Sequence, residues 1–280
     1  MRAKVLSGSS MRRPLMLAAA AGLLLCVGCS ATDGGGPDEA EAAASSSKAA
    51  SDAPSAVQEA VAALREDSAG FRQKIEVQGD GQVYRITITG GFDFAADRGH
   101  LAVDFPGGGI DHSEQVFVEG KIYVRNVLGT GEDTWGAIPR DKAQAHYLLR
   151  APLNDPEHVL QQIAAMRKVS REGEESVEGA RAVHYRGILD HRTVTLRMAA
   201  DVRTKMGQAR DILGGDLPVF ADAWVDGKGN LVQTRMSANM SGARVTVTTI
   251  LSDIGEPVRV KVPRAADTTP ISEATGVLNG

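Results

Sequence analysis

The thiol best placed for chemistry is Cys29, which closes the run Leu23-Leu24-Leu25-Cys26-Val27-Gly28-Cys29. Small residues just ahead of it suit a signal-peptidase cut. The other reactive side chains are scattered. His100, His112, His146, His158, His184 and His191 form no HExxH, HxH or His-x-x-x-His pair that would set two metal ligands on one face. Asp111-His112-Ser113 has the residue types of a hydrolytic triad, but adjacent residues cannot face one another in that geometry. There is no G-x-S-x-G elbow and no P-loop. Gly107-Gly108-Gly109 follows Pro106 between strands and reads as a loop. Asp226-Gly227-Lys228-Gly229-Asn230 lacks the later carboxylates of a calcium loop and reads as a hairpin turn. The expectation is therefore no catalytic residue, no metal and no cofactor, unless a cleft gathers distant groups.

Ahead of Cys29 stand Arg2, Lys4, Arg12 and Arg13, then an apolar stretch of about a dozen residues, too short to span a ~30 Å hydrocarbon layer. Residues 1–28 thus read as a secretion signal. The cut site resembles the lipobox of bacterial lipoproteins. That resemblance implies that Cys29 becomes the first mature residue, with its thiol joined to diacylglycerol. Cys26 stands where the lipobox usually has Leu. The alternative is an ordinary cleaved signal that leaves Cys29 a free thiol. Each buried methylene of an acyl chain contributes ~0.8 kcal/mol, so two or three chains would hold the protein firmly to the outer face of the plasma membrane. Arg12-Arg13 fits twin-arginine export only loosely, which favours general secretion.

Subtracting the four bases of the signal from the chain's 31 leaves 27 against 35 acids, a net charge of −8. An acidic exported domain with 4% aromatic residues is built neither to grip nucleic acid nor to stack sugars. Both cysteines precede the folded part, which has no disulfide. Apolar residues make up 42% of the chain, enough for a core that stands without staples.

Residues 29–54 carry no large apolar side chain and read as a flexible tether. A short helix is expected over 56–65, from Val57, Val61 and Leu64. Period-two alternation then predicts a hairpin about Gly79-Asp80-Gly81, further strands to Pro139, and a turn at Glu119-Gly120. Helices are expected over 141–149 and 155–166, the latter capped by Asp155. Strands return to about 188; residues 191–213 are ambiguous, since their start could extend a strand while Met198, Val202 and Met206 favour a helix for most of the span; strands run from 219 to 262. Domain 55–268 is thus α+β, with roughly nine to eleven antiparallel strands. Helices cover the sheet's apolar face, and residues 269–280 form a disordered tail.

Four stretches in order give this domain a family resemblance. They are Trp135-Gly136-Ala137-Ile138-Pro139; Val177-Glu178-Gly179 leading to His184-Tyr185 and Asp190; Ala223-Trp224-Val225-Asp226; and Asp253-Ile254-Gly255-Glu256-Pro257-Val258 running into Val262-Pro263. With the lipobox, they resemble the LolA-like carriers and, more closely, the LppX/LprG-type lipoproteins of actinobacteria. The resemblance implies a strongly curved half-barrel closed on its concave side by helices. It also implies enclosure of lipid or glycolipid acyl chains, with no catalytic residues. Apolar residues expected along such a cavity are Val159, Ile163, Met166, Val232, Met236, Met240, Val245 and Val247. Flexible thioethers suit variable alkyl chains. A second reading is an envelope sensor of the same fold that binds a protein partner. A third, a hydrolase, requires Ser, His and a carboxylate to converge in one cleft.

Overall fold

A computed structural model describes residues 38–127, 133–240 and 242–272, with side chains from Asp52 onward. The expected signal, Cys29 and the first part of the tether lie outside the described residues. Helix α1 (Asp38–Arg65) leads into one sheet. Its strands are β1 (Ser68–Gly79), β2 (Gln82–Asp93), β3 (Arg98–Asp104), β4 (His112–Val118), β5 (Lys121–Arg125) and β6 (Trp135–Pro139), then β7 (Arg167–Val177), β8 (Ala180–Leu189), β9 (Val219–Asp226), β10 (Leu231–Met240), β11 (Ala243–Ser252) and β12 (Thr268–Pro270). Between β6 and β7 lies α2 (Pro156–Ala164); between β8 and β9 lie α3 (His191–Val194) and α4 (Ala200–Leu213).

The sheet runs β12-β6-β5-β4-β3-β2-β1-β11-β10-β9-β8-β7. All neighbours pair antiparallel except β12, which lies parallel to β6. The two series of hairpins join where β1 pairs with β11, with Ile75 opposite Val247. The sheet is strongly curved and open, as the family resemblance implies. Gly90 marks a close approach in the curve: a Cβ there would lie 2.0 Å from the His100 carbonyl oxygen. The last strand in the order, β7, has register shifts at Arg167/Ser170 and Arg171/Gly173.

Alternate residues of each strand face the concave side. There Ile88, Leu101, Phe117, Ile122, Ala221, Ala223, Met236 and Val247 join Val57, Val61 and Leu64 of α1 in one buried apolar cluster. Helix α1 packs against β7, β9 and β10.

Four local expectations change. The helix expected from 56 begins at Asp38 and passes through Pro54; the alanine-rich run before it has high helix propensity. The helix expected over 141–149 is only a 3₁₀ turn at Arg140–Lys142, after which the chain is irregular. There Ala145 forms a parallel bridge with Met198, giving its backbone partners outside any helix. The valines at 258, 260 and 262 alternate on an extended chain that pairs with no strand. They follow β11, whose two edges are already taken by β1 and β10. The tail expected from 269 is ordered through Ser272, because Thr269 and Pro270 pair with β6.

Candidate functional site

The concave interior gathers most of the residues expected along a cavity. Val159, Ile163, Met166, Met236 and Val247 are buried in the main apolar cluster, and Val245 packs against it partly buried. Two fall elsewhere. A bulge between Leu231 and Gln233 puts Val232 against Trp224, Val177 and Ala182 in a separate cluster. Met240 lies exposed at the end of β10. Met198 and Met206 also join the interior.

Part of the cover over that interior is not helical. Residues 149–156 are all buried, yet only Pro152–Asn154 form a single 3₁₀ turn before α2 begins at Pro156. Leu149, Leu153 and Asn154 adopt left-handed backbone angles, with φ of 59°, 46° and 58°. For branched leucine this conformation is strained, and such strain persists only where its surroundings impose it.

Asp155 supplies much of that constraint. It is 0% exposed and accepts hydrogen bonds from Arg140 Nε (2.8 Å) and Nη2 (2.6 Å), and from Arg197 Nη1 (3.0 Å). Its Oδ1 also accepts from the Glu157 N–H at 3.1 Å, capping α2 as the sequence predicts. Burial alone would raise the Asp155 pKa, but hydrogen bonds and charge from Arg140, then the charge of Arg197, hold it below the usual carboxylate range. Arg140 also pairs with Asp97 and lies over the rings of Phe92 and Phe117, 5.4 and 5.5 Å from their centroids. Arg197 bonds the carbonyls of Arg140 and Ala143. The arginine partners were not legible in the sequence, because they lie 15 and 42 positions from Asp155.

Beside this clamp a polar line enters the apolar interior. Arg150 donates to Asn154 Oδ1 at 2.9 Å, and Asn154 Nδ2 to Gln115 Oε1 at 3.3 Å. Desolvation brings the Arg150 pKa down to about 10. His158 and Gln162, one turn apart on α2, are both buried, and His158 Nδ1 and Gln162 Oε1 meet no partner among the described residues. Desolvation, helped by Arg197 and opposed by Asp155, lowers the His158 pKa to about 4. Unpartnered buried polar atoms cost about 1–3 kcal/mol each.

The outer face of β7–β10 carries a second charged cluster. Asp222, 1% exposed, accepts from His184 Nε2 (2.7 Å), Arg186 Nε (2.9 Å) and Arg235 Nε (3.2 Å). His184 stacks on Trp224 at 4.4 Å between centroids, and its Nδ1 lies 2.9 Å from Glu175. Trp224 Nε1 donates to Glu175 at 3.0 Å, and this bond is the main cause that holds the Glu175 pKa low. The cluster lacks a hydroxyl nucleophile among its hydrogen-bonded members. Asp111, His112 and Ser113 make no triad: His112 Nδ1 lies 2.6 Å from Asp104, and Ser113 is buried on β4. No group of three or more metal-ligating side chains occurs among the described residues. Nor is any described helix long and apolar enough to cross a membrane.

Among the described residues, four of the surface cavities, of about 760, 380, 370 and 290 Å³, are lined by none of the eight residues expected along an acyl cavity. Leu149, Ala151 and Leu153 of the buried segment 149–156 join the main apolar cluster.

No protein-family model and no curated protein matches the chain. Among solved structures, it is similar to LprF from Mycobacterium bovis, at 14% identity over 76% of this chain and 97% of that one, with a TM-score of 0.46. It is also similar to the Mycobacterium tuberculosis lipoprotein LppX, at 12% identity over 74% and 97%, with a TM-score of 0.47. A LolA superfamily protein from Nitrosomonas europaea is similar at 12% identity over 78% and 97%, with a TM-score of 0.33.

Proposed function

We propose that this chain is an exported protein, held at the outer face of the plasma membrane by acylated Cys29. In this reading it takes the acyl chains of a lipid or glycolipid between its curved sheet and its helical side. It carries or presents them in the cell envelope. One observation supports the reading above the others: an irregular, strained segment, residues 149–156, is buried over an apolar concave face. Left-handed strain of about 1–3 kcal/mol per residue lowers the cost of moving that segment. Leu149 and Leu153 occupy volume that an alkyl tail fills equally well when they withdraw. The open atoms of His158 and Gln162 then face the ligand's polar end.

Native mass spectrometry of the full chain carrying Cys29→Ser tests the binding. A lipid mass that co-purifies and disappears on delipidation is expected. Persistently empty protein from lipid-rich extracts removes the carrier reading. Membrane fractionation tests the anchor: wild-type chain is expected in the membrane pellet and Cys29→Ser in the soluble fraction.

A second reading, an interaction module without a transported lipid, has its own support. Helix α4 buries only Met206, and Ile212 and Leu213 at its end are 86% and 61% exposed. An uncovered apolar pair on a lightly seated helix suits a protein partner.

A further inference from the structure

After β11 the chain leaves the sheet and crosses its outer face as a strap. One end is tied where Ser68 Oγ donates to the Glu256 carbonyl at 2.7 Å and the Gly255 N–H donates to the Ser68 carbonyl at 2.9 Å. The other end is β12, beyond which the Ile271 N–H donates to the Ala137 carbonyl at 2.9 Å. Between these ties, residues 256–264 belong to no strand. Val258 wedges against the sheet at Gly91, where a Cβ would come within 3.1 Å of its methyl group.

Farther along, the strap and the sheet together line a surface-open cavity of about 760 Å³. That volume lies within the range of small-molecule sites, ~300–1,000 Å³. The lining on the sheet side includes Ala102, Val116 and Trp135, and Val262 and Pro263 come from the strap. Four cations also line it: Arg125, Arg259, Lys261 and Arg264. Arg125 lies 4.9 Å over the Trp135 ring and pairs with Glu114, while its Nε is buried and meets no acceptor among the described residues. Arg264 pairs with Asp267 at 2.6 Å. Arg259 and Lys261 have no carboxylate partner among the described residues. The remaining carboxylate on the lining is Asp133. The site therefore combines an indole and aliphatic surface with uncommitted positive charge and one desolvated N–H.

We infer that this hollow binds an amphiphilic organic anion. A carboxylate, sulfonate or phosphate head is held by Arg259 and Lys261 and reaches Arg125 Nε. An aromatic or short alkyl body rests on Trp135 and Val116, beneath Val262. Most of the site's lining lies on the face of the sheet opposite the apolar interior, and Leu101 and Gln115 also border it. Its occupation therefore does not require segment 149–156 to move, and does not depend on the acyl-carrier reading.

The chain has two tryptophans, so ¹⁵N spectra carry two indole signals, and Trp135→Phe assigns the one at this site. The probe is 8-anilinonaphthalene-1-sulfonate. Its uncharged analogue N-phenyl-1-naphthylamine and inorganic phosphate serve as separate arms. The sulfonate is expected to shift the Trp135 signal along a saturable curve. Arg259→Glu with Lys261→Glu, both on exposed irregular chain, is expected to weaken that binding at least tenfold without moving the unfolding midpoint. A shift caused by inorganic phosphate as well supports a site read mainly through its head group. Equal binding to the double variant, an unmoved Trp135 signal, or equal affinity for the uncharged analogue overturns the proposal. Uptake of the uncharged analogue with Trp135 unmoved bears on the interior alone, so the two readings fail separately.

Discussion

Asp155 and Asp222 are both buried aspartates with two arginine partners each, one on each side of the same sheet. Their surroundings differ in what else holds the chain. Asp222 sits in β9, hydrogen-bonded on both sides by β8 and β10, and its arginines keep about half and a third of their surface in water. Asp155 sits between an irregular segment and a short helix, and its arginines are mostly buried. On the outer face the ladder positions the charges; on the concave side the charges position the chain.

The sharpest way to break this comparison is to remove each carboxylate. Asp155→Ala strands Arg140 away from water and is expected to cost about 3–5 kcal/mol in urea unfolding. Backbone amides of 143–156 are expected to lose hydrogen-exchange protection first. Equal costs for Asp155→Ala and Asp222→Ala would mean that the ladder contributes no more than the irregular chain does.

The next effect is pH-dependent and confined to the concave side. The folded state holds the His158 pKa at about 4, against about 6.5 unfolded. Between these values the unfolded chain binds a proton that the native chain refuses. Stability is therefore full above about 6.5 and falls as pH drops toward 4, by at most about 3 kcal/mol. His158→Gln is expected to flatten unfolding free energy across that window. The Asp155 contribution is lost in a separate, lower range, as pH falls through its depressed pKa.

Asp222→Ala is expected to cost about 1–2 kcal/mol, since Arg186 and Arg235 are partly in water and the strands stay paired, while buried His184 loses its Nε2 partner. Ile212→Ser with Leu213→Ser is expected to change stability by less than about 0.5 kcal/mol, because both side chains are already in water. A larger loss would show that α4 is seated more firmly than its single buried methionine indicates.

Local chemistry made much of the sheet legible. Asp80-Gly81, Glu119-Gly120 and Asp226 through Asn230 turn the chain where their residue types predict. Asp226 Oδ1 accepts from the N–H groups of Lys228 and Asn230, closing the last of these. The antiparallel, one-side-apolar sheet followed from the alternation about those turns, whereas its strong curvature was an expectation of the family resemblance alone. The cover over 141–154 was not legible, because its conformation is imposed by Arg140 and Arg197 meeting Asp155 across long sequence separations. Val232 misled for a local reason: one bulge moves it off the face that strict alternation assigns. The strap was readable as extended chain, but nothing in its valines says that it crosses a face instead of joining an edge.

That strap ends by capping β6, which leaves β7 as the sheet's other margin. Its sequence mixes Arg167, Lys168 and Arg171 with Glu172, Glu174 and Glu175, and its ladder is interrupted twice. A margin with charges of both signs and broken spacing offers a poor template for another strand. Addition of a further strand at the β7 margin is thereby disfavoured.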